Sequence, residues 1–308
     1  MNLHLSPDHK AAFEYARQQT AYHSKSFFFS ARMLPGERRW ATYGLYGFCR
    51  YADNLIDNPR SRTEQELLQE ADMMAQEIRI AYRTGESEHP IVKSFIAVAK
   101  QFDIPIEYPL DLIRGVKMDI QRSRYQTFDE LYVFCYRVAG VVGLMMTNVL
   151  GYKNDAAFHY AEKLGIAMQL TNILRDIQED AEAGRIYLPQ DELQKFGVSE
   201  REVEKGIMNE NLRSLMEFQV KRAHDYYHEA IPGIKMLRPE SRFAIYAAAK
   251  IYQGILHQIE RRNFNPFLGR VFVSQFKKIG ILFSQVLRGR WEGFQETFLP
   301  AQVEMVKE

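Results

Sequence analysis

Cysteine, net charge and long apolar runs are all scarce in this chain. Its two cysteines, Cys49 and Cys135, are too few for a disulfide framework or a zinc-finger ligand set. Both sit in apolar, helix-like runs and are expected to be buried packing residues of a reducing compartment. Forty Lys and Arg against 39 Asp and Glu leave a formal charge of +1, which excludes a nucleic-acid binder working through bulk charge. The longest apolar run, Val138 to Leu150, contains Thr147 and Asn148 and is too short to span a bilayer. The N-terminal MNLHLSPDHK has no apolar signal core, and the charged C-terminal AQVEMVKE carries no anchor. Walker loops, G-x-G-x-x-G fingerprints, G-x-S-x-G elbows, repeats and low-complexity tracts are all missing. The expectation is a cytoplasmic protein, soluble or in peripheral contact with a membrane.

What the chain does have is helical period. Apolar residues make up 46% of 308 and recur at 3–4 residue spacing, with no convincing alternating strands. The prolines punctuate these stretches instead of interrupting them. Helices are expected over 7–20, 36–57, 63–84, 89–102, 106–120, 127–150, 154–183, 200–205, 209–231, 240–262 and 274–290. With no linker rich in Gly, Ser or Pro, residues 1–308 read as one all-α domain, with its core over about 20–290.

The stretch from Gln169 to Asp180 reads as the end of a helix stopped by Gly184 and Pro189. At about 100° per residue, Gln169, Asn172, Asp176 and Asp180 share an arc of roughly 80°. That arc adjoins Ile166, Leu170, Ile173 and Ile177, so the acids point inward. Carboxylates held there need a cation. Two acids one turn apart plus an amide oxygen suit a hard ion such as Mg2+, with Mn2+ as the alternative. A second set repeats the pattern. Tyr46, Arg50, Asp53 and Asp57 share an arc of about 60°, edged by Leu45, Cys49, Ala52 and Ile56. Facing each other across a cavity, the two sets could hold several Mg2+ ions around a diphosphate and ease its departure. Arg50 and Arg175 would neutralise the same charge, or pair with the aspartates.

Other segments carry weaker signals. His23, Ser24, Lys25 and Ser26 precede Phe27–Phe29 and could hold phosphate above a greasy pocket; a loop leading into the core is the alternative. Gly140 and Gly143 lie in a helical run, where glycine marks close approach of a helix or ligand, or a kink. His224 and His228 have i, i+4 spacing but lack the glutamate of H-E-x-x-H, so packing or surface roles are favoured over zinc. Arg270, Lys277 and Lys278 flank Val271-Phe272-Val273 and could close over a phosphate or touch anionic lipid, although a solvated face is the simpler reading.

The segments HSKSF, CRYADNLID, MDIQRSRYQTFDELYVFCYRVAGVVGLMM, QLTNILRDIQEDAEAGRIYLP and RVFV, in this order, resemble the squalene/phytoene synthase family of head-to-head prenyl transferases. The resemblance covers roughly residues 20–290. It implies an all-α isoprenoid synthase fold with helices around a central active-site cavity. It also implies two prenyl diphosphate substrates and metal held by Asp53, Asp57, Asn172, Asp176 and Asp180. His23, Ser24, Lys25, Ser26, Arg50, Gln169, Arg175 and Tyr252 would contact diphosphate or substrate, with Tyr187 and Arg270 near the site. Within the family, FDELYVFCYRVAGVVGLMM looks most like phytoene synthases, which join two geranylgeranyl diphosphates without NADPH. Ala31 falls about where thirty-carbon members carry a bulky plug, and Phe28 or Phe29 could serve instead. Where many members read Y-C-Y, this chain has Phe134-Cys135-Tyr136. Phe134 cannot donate a hydrogen bond, which leaves Tyr136 as a substitute for proton handling. A dehydrosqualene, squalene or presqualene diphosphate synthase using farnesyl diphosphate is the alternative. A non-catalytic assembly or binding protein of the same fold is the remote one, disfavoured because both acidic motifs are complete.

Overall fold

The structure, a computed structural model, describes residues 7–57 and 61–271. Of Pro7, Lys25 and Ser26 only the backbone is described. The helix expected over 274–290, with Lys277 and Lys278, lies outside the described residues.

Fourteen α-helices follow in order among the described residues: α1 (Pro7–His23), α2 (Lys25–Ala31), α3 (Gly36–Asp57), α4 (Glu64–Thr84), α5 (Pro90–Gln101), α6 (Glu107–Gln121), α7 (Phe128–Cys135), α8 (Val141–Leu150), α9 (Ala156–Arg175), α10 (Ile177–Glu182), α11 (Gln190–Lys195), α12 (Glu200–Glu204), α13 (Glu210–Ala230) and α14 (Pro239–Arg261). No strand is present among them, only two isolated bridges, Arg124 with Ile186 and Tyr152 with Leu237. The all-α expectation holds.

The differences from expectation have local causes. The run 127–150 is not one helix, because a π-helical turn, Tyr136–Gly140, separates α7 from α8. Such turns insert a residue into the helical ladder and often sit at functional sites. The run 154–183 breaks once, at Asp176, whose backbone (φ −104°, ψ 14°) leaves helical geometry. The turn still carries on, since Asp176 N–H donates to Asn172 O and Asp180 N–H to Asp176 O, at 2.9 and 2.8 Å. Gly184, at φ +78°, supplies the left-handed stop. The short helices α2 and α11 were not expected. Each spans only about two turns, too short for periodicity to show; Ser24 caps α2 by accepting from the Phe27 N–H.

Two hydrophobic clusters form the interior. One gathers Phe13, Phe48, Phe95, Leu112, Val141 and Met145 from α1, α3, α5, α6 and α8. The other gathers Leu131, Ile166, Leu170, Leu215, Tyr227 and Leu256 from α7, α9, α13 and α14. Fully burying a side chain of this size contributes about 2 kcal/mol, so each cluster outweighs any single polar contact described below. Cys49 and Cys135 are buried and unpaired, as expected.

The α8–α9 contact joins the clusters. A Cβ on Gly143 would stand 2.4 Å from the Ala161 carbonyl oxygen, and one on Gly165 would stand 2.3 Å from that of Ala139. Glycine at both positions lets the α9 backbone touch those of α8 and of the π turn before it, the close approach that Gly140 and Gly143 suggested. Phe128–Leu150 taken together, with mean hydropathy 1.6, is long and apolar enough to cross a membrane, but 56% of that window is buried inside the protein. It forms a wall of the interior.

Candidate active site

The first acidic face is built on α3. Its apolar stripe, Leu45, Phe48, Cys49, Ala52 and Leu55, is buried; Tyr46, Arg50 and Asp53 beside it are partly buried, while Asp57, one turn on, is half exposed at the rim. Arg50 Nη1 donates to the Asp57 carboxylate. The Nε of Arg50 is buried without a hydrogen-bond partner. Burial, then the like charge of Asp57, raises the Asp53 carboxyl to about 7, with Arg50 opposing. His23 is pushed down by burial and by Arg50, and drawn up by Asp57, so it stands at the same corner. The Ser24 hydroxyl bonds Tyr46, whose phenol burial holds protonated.

The second face is split between α9 and α10. Asn172 Nδ2 donates to Gln169 Oε1 at 3.3 Å, which fixes the amide pair at the end of α9. Asp176 is clamped by two arginines: Arg175 Nε donates at 2.7 Å, and Arg270 Nε stands 3.2 Å away. Asp180 lacks such a clamp. Burial raises it to about 7; Arg185 opposes, while Asp176 and Asp119 push it higher. Tyr252 from α14 lies against Arg175 and Asp176, with its phenol raised by burial.

Asp119, near the end of α6, joins the two faces. Its charge acts on Asp53 and on Asp180, and Asp57 acts on it in turn. Its carboxyl is raised by burial, and Tyr187 donates to it at 2.5 Å. The Arg124–Ile186 bridge, with Ile186 N–H donating to Ser123 O at 3.0 Å, sets Arg185 and Tyr187 beside the end of α6. Arg185 also keeps a buried Nε without a partner. Asp119 and Arg185 are functional residues that helical period and spacing do not reveal. The available signal was Met118-Asp119-Ile120, an acid enclosed by apolar neighbours.

Below this ring opens an apolar cavity of about 300 Å3 at the seam of the two clusters. Asp53, Gln169, Asn172 and Tyr252 line its polar end; Leu150, Ala157, Ile234 and Leu237 line its far end. Between them run Val138, Ala139, Val142, Gly143 and Met146, an apolar wall from the π turn and α8.

Not every expected residue joins the ring. Tyr136 lies in the π turn, where burial and then Asp111, Glu162 and Tyr108 raise its phenol; the structure does not bring it to the aspartates. Phe134 is buried with its ring stacked on Tyr187, 5.4 Å between centroids, and so supports Tyr187 from behind. Ala31 is buried but does not line the cavity, whereas Phe27 and Ser30 do. Phe28 stacks on Tyr43 and Phe29 is partly exposed. His224 pairs with Glu260, beside His257, and not with His228.

The donor set fits a hard cation. Asp53, Asp57, Asp119, Asp176 and Asp180 with the amides of Asn172 and Gln169 offer only oxygen ligands of the kind Mg2+ takes. The unpartnered N–H groups of Arg50 and Arg185 fit the oxygens of a polyanion arriving with it.

Comparison with known proteins agrees with this geometry. A family model described as squalene/phytoene synthase matches residues 20–277. A 15-cis-phytoene synthase from Synechocystis sp. is 38% identical over 87% of this chain and 82% of its own. A phytoene synthase from Arthrospira platensis is 37% identical, over 91% and 94% respectively. A dehydrosqualene synthase crystallised with ligand superposes with a TM-score of 0.84 at 28% identity, covering 92% of this chain and 98% of its own. A squalene synthase from Alicyclobacillus acidocaldarius gives 0.78 at 25% identity, covering 85% and 98%.

Proposed function

Because the chain belongs to the squalene/phytoene synthase family, we propose that it joins two geranylgeranyl diphosphates head to head to give phytoene, releasing two diphosphates without a reductant. The observation that carries the site assignment is the confrontation of two acid-bearing faces, through Asp119, above one apolar cavity. Mg2+, when bound, supplies charge neutralisation that makes diphosphate a better leaving group. Asp53, Asp57, Asn172, Asp176 and Asp180 would hold it. The residues 1–308 are read as one domain.

The chain's own residues divide the remaining work. Arg50 and Arg185 bring buried, unpartnered N–H donors to the diphosphate oxygens. His23, Ser24, Gln169 and Tyr252 shape the mouth, and Arg175 and Arg270 hold Asp176 until phosphate oxygens compete for them. The backbone of Lys25 and Ser26 opens α2 beside this corner. The apolar walls keep water from the allylic cation left when one diphosphate departs. The second substrate's double bond attacks that cation, and loss of a proton gives a cyclopropylcarbinyl diphosphate. A second ionisation, rearrangement and proton loss complete the product. Tyr136, in the π turn beside Asp111 and Glu162, stands apart from the acids of the ring. Peripheral membrane contact of a cytoplasmic enzyme suits substrates and products of this apolarity.

The deciding experiment incubates purified protein and Mg2+ with geranylgeranyl or farnesyl diphosphate, with and without NADPH, and weighs the products. A forty-carbon hydrocarbon formed without NADPH is expected. A thirty-carbon product alone would transfer the assignment to dehydrosqualene, squalene or presqualene diphosphate synthesis. No consumption of either substrate would leave a binding or assembly role.

A further inference from the structure

One face of α9 lines the cavity along its whole depth. Asn172, Gln169, Met168, Gly165, Leu164, Ala161, Tyr160 and Ala157 lie on that face, from the polar mouth downward, as the helical period allows. At about 1.5 Å per residue, Asn172 to Ala161 spans about 16 Å and Asn172 to Ala157 about 22 Å. An isoprene repeat places four bonds of about 1.5 Å in zigzag, or about 5 Å of length. A three-unit farnesyl tail therefore ends near Ala161, and a four-unit geranylgeranyl tail ends near Ala157.

The far end is lined by buried residues: Ala157 of α9, Leu150 from the end of α8, and Ile234 and Leu237 from the turn before α14. Ser241 Oγ donates to Leu150 O at 2.8 Å, which ties the start of α14 to this floor. Ala161 stands on the cavity wall one turn above, with Val142, Gly143 and Met146 of the facing helix also on the lining. Its side chain there is a single methyl group.

We propose that α9 is the gauge of tail length, with Ala161 as the position that admits the fourth isoprene unit and Ala157 as the position that ends it. This rests on the prenyl-transferase reading of the same cavity. Neither residue touches the reacting carbons, so both act as specificity determinants and not as catalytic residues. A ring at position 161 would occupy the space of the last unit while leaving the mouth, over 15 Å away by the same helical rise, untouched. A rejected five-carbon unit costs far more than the one-methylene differences that hydrophobic pockets discriminate poorly.

The test compares wild type, Ala161→Phe and Ala157→Phe with each diphosphate separately, reading kcat/KM and product mass. Wild type should make the forty-carbon product. Ala161→Phe should lose at least about 100-fold in kcat/KM for geranylgeranyl diphosphate while keeping farnesyl diphosphate turnover within about threefold, giving a thirty-carbon product. Ala157→Phe should fall between them. Ala161→Leu adds less volume and reads the same ratio should the phenylalanine variant fail to fold, as judged by circular dichroism. An unchanged ratio of the two kcat/KM values in a folded variant at position 161 overturns the gauge. A wild type that makes nothing from geranylgeranyl diphosphate overturns the underlying reading instead, and the two failures are read in separate arms.

Discussion

The two acidic faces reach the same electrostatic arrangement through different backbones. On α3 the pair Asp53 and Asp57 rides one unbroken helix, and the partner arginine, Arg50, comes from the same face. On the other side the helix breaks at Asp176, and the clamp uses an adjacent residue, Arg175, together with Arg270, 94 positions further on. Each face nevertheless presents one acid paired with arginine, Asp57 or Asp176, and one acid driven up to about 7, Asp53 or Asp180. The geometry of acid spacing can thus be met by a helix or by a helix junction. The division into a paired and an unpaired acid is the more basic property, because an unpaired buried carboxylate is what a cation can stabilise most.

Mutation can break that equivalence. Asp53→Ala and Asp176→Ala should each abolish turnover, by about 1,000-fold or more in kcat, with helical content unchanged by circular dichroism. Near-normal activity in either would sink the metal assignment. The arginines should separate the faces: Arg50→Ala should cost about 100-fold in kcat/KM and Arg270→Ala about tenfold, because Arg50 is more enclosed and the Arg270 side chain is 44% exposed. Equal losses would mean that enclosure does not decide their worth. Tyr187→Phe removes the donor to Asp119, the residue common to both faces. A buried acceptor left unmatched costs about 1–2 kcal/mol, so steady-state kinetics and thermal unfolding should show roughly tenfold lower kcat/KM and a lower Tm.

The smallest effect concerns stability in metal-free protein. The folded-state pKa of Asp53, about 7, lies above its ordinary value of 3.8. Between those values the folded chain holds a proton that the unfolded chain has released, so the contribution to stability is full below pH 4 and is lost as pH rises to 7. Asp53→Asn, which cannot ionise, should therefore match wild type near pH 4 and exceed it by about 2 kcal/mol above pH 7, half the full linkage value because the side chain keeps some solvent contact. Thermal unfolding across that range checks it. A difference independent of pH would remove the case for burial of this acid.

Much of this was legible in the sequence, for identifiable reasons. The long helices announced themselves by period, and the acid pairs by lying beside an apolar stripe. Asp53, Arg50, Asn172 and Asp176 could be found because each shares a helix with its companions. Asp119 and Arg185 could not, because their association with the ring depends on α6 and the segment after α10 meeting across the Arg124–Ile186 bridge. The break at Asp176 was hidden for a related reason: the i to i−4 hydrogen bonds continue through it, so the period barely changes. The π turn left its trace only as glycines inside a helical run. The far end of the cavity, where Ile234 and Leu237 join Ala157 from more than 70 residues away in the chain, had no local signature at all.

The glycine contacts between α8 and α9 have a consequence for how this molecule can change. At Gly143 and Gly165 any added side chain would strike a neighbouring carbonyl, of Ala161 and of Ala139 in the π turn, so the spacing of α9 from the π turn and α8 is fixed by backbone atoms and is closed to gradual drift. A lineage, or an engineer, seeking a wider chamber must move the opposite side, where Ile245, Ala248 and Ile251 of α14 face the lumen with side chains alone. Changes in the chamber's width should then collect on that wall, while its depth is set by the side chains of α9.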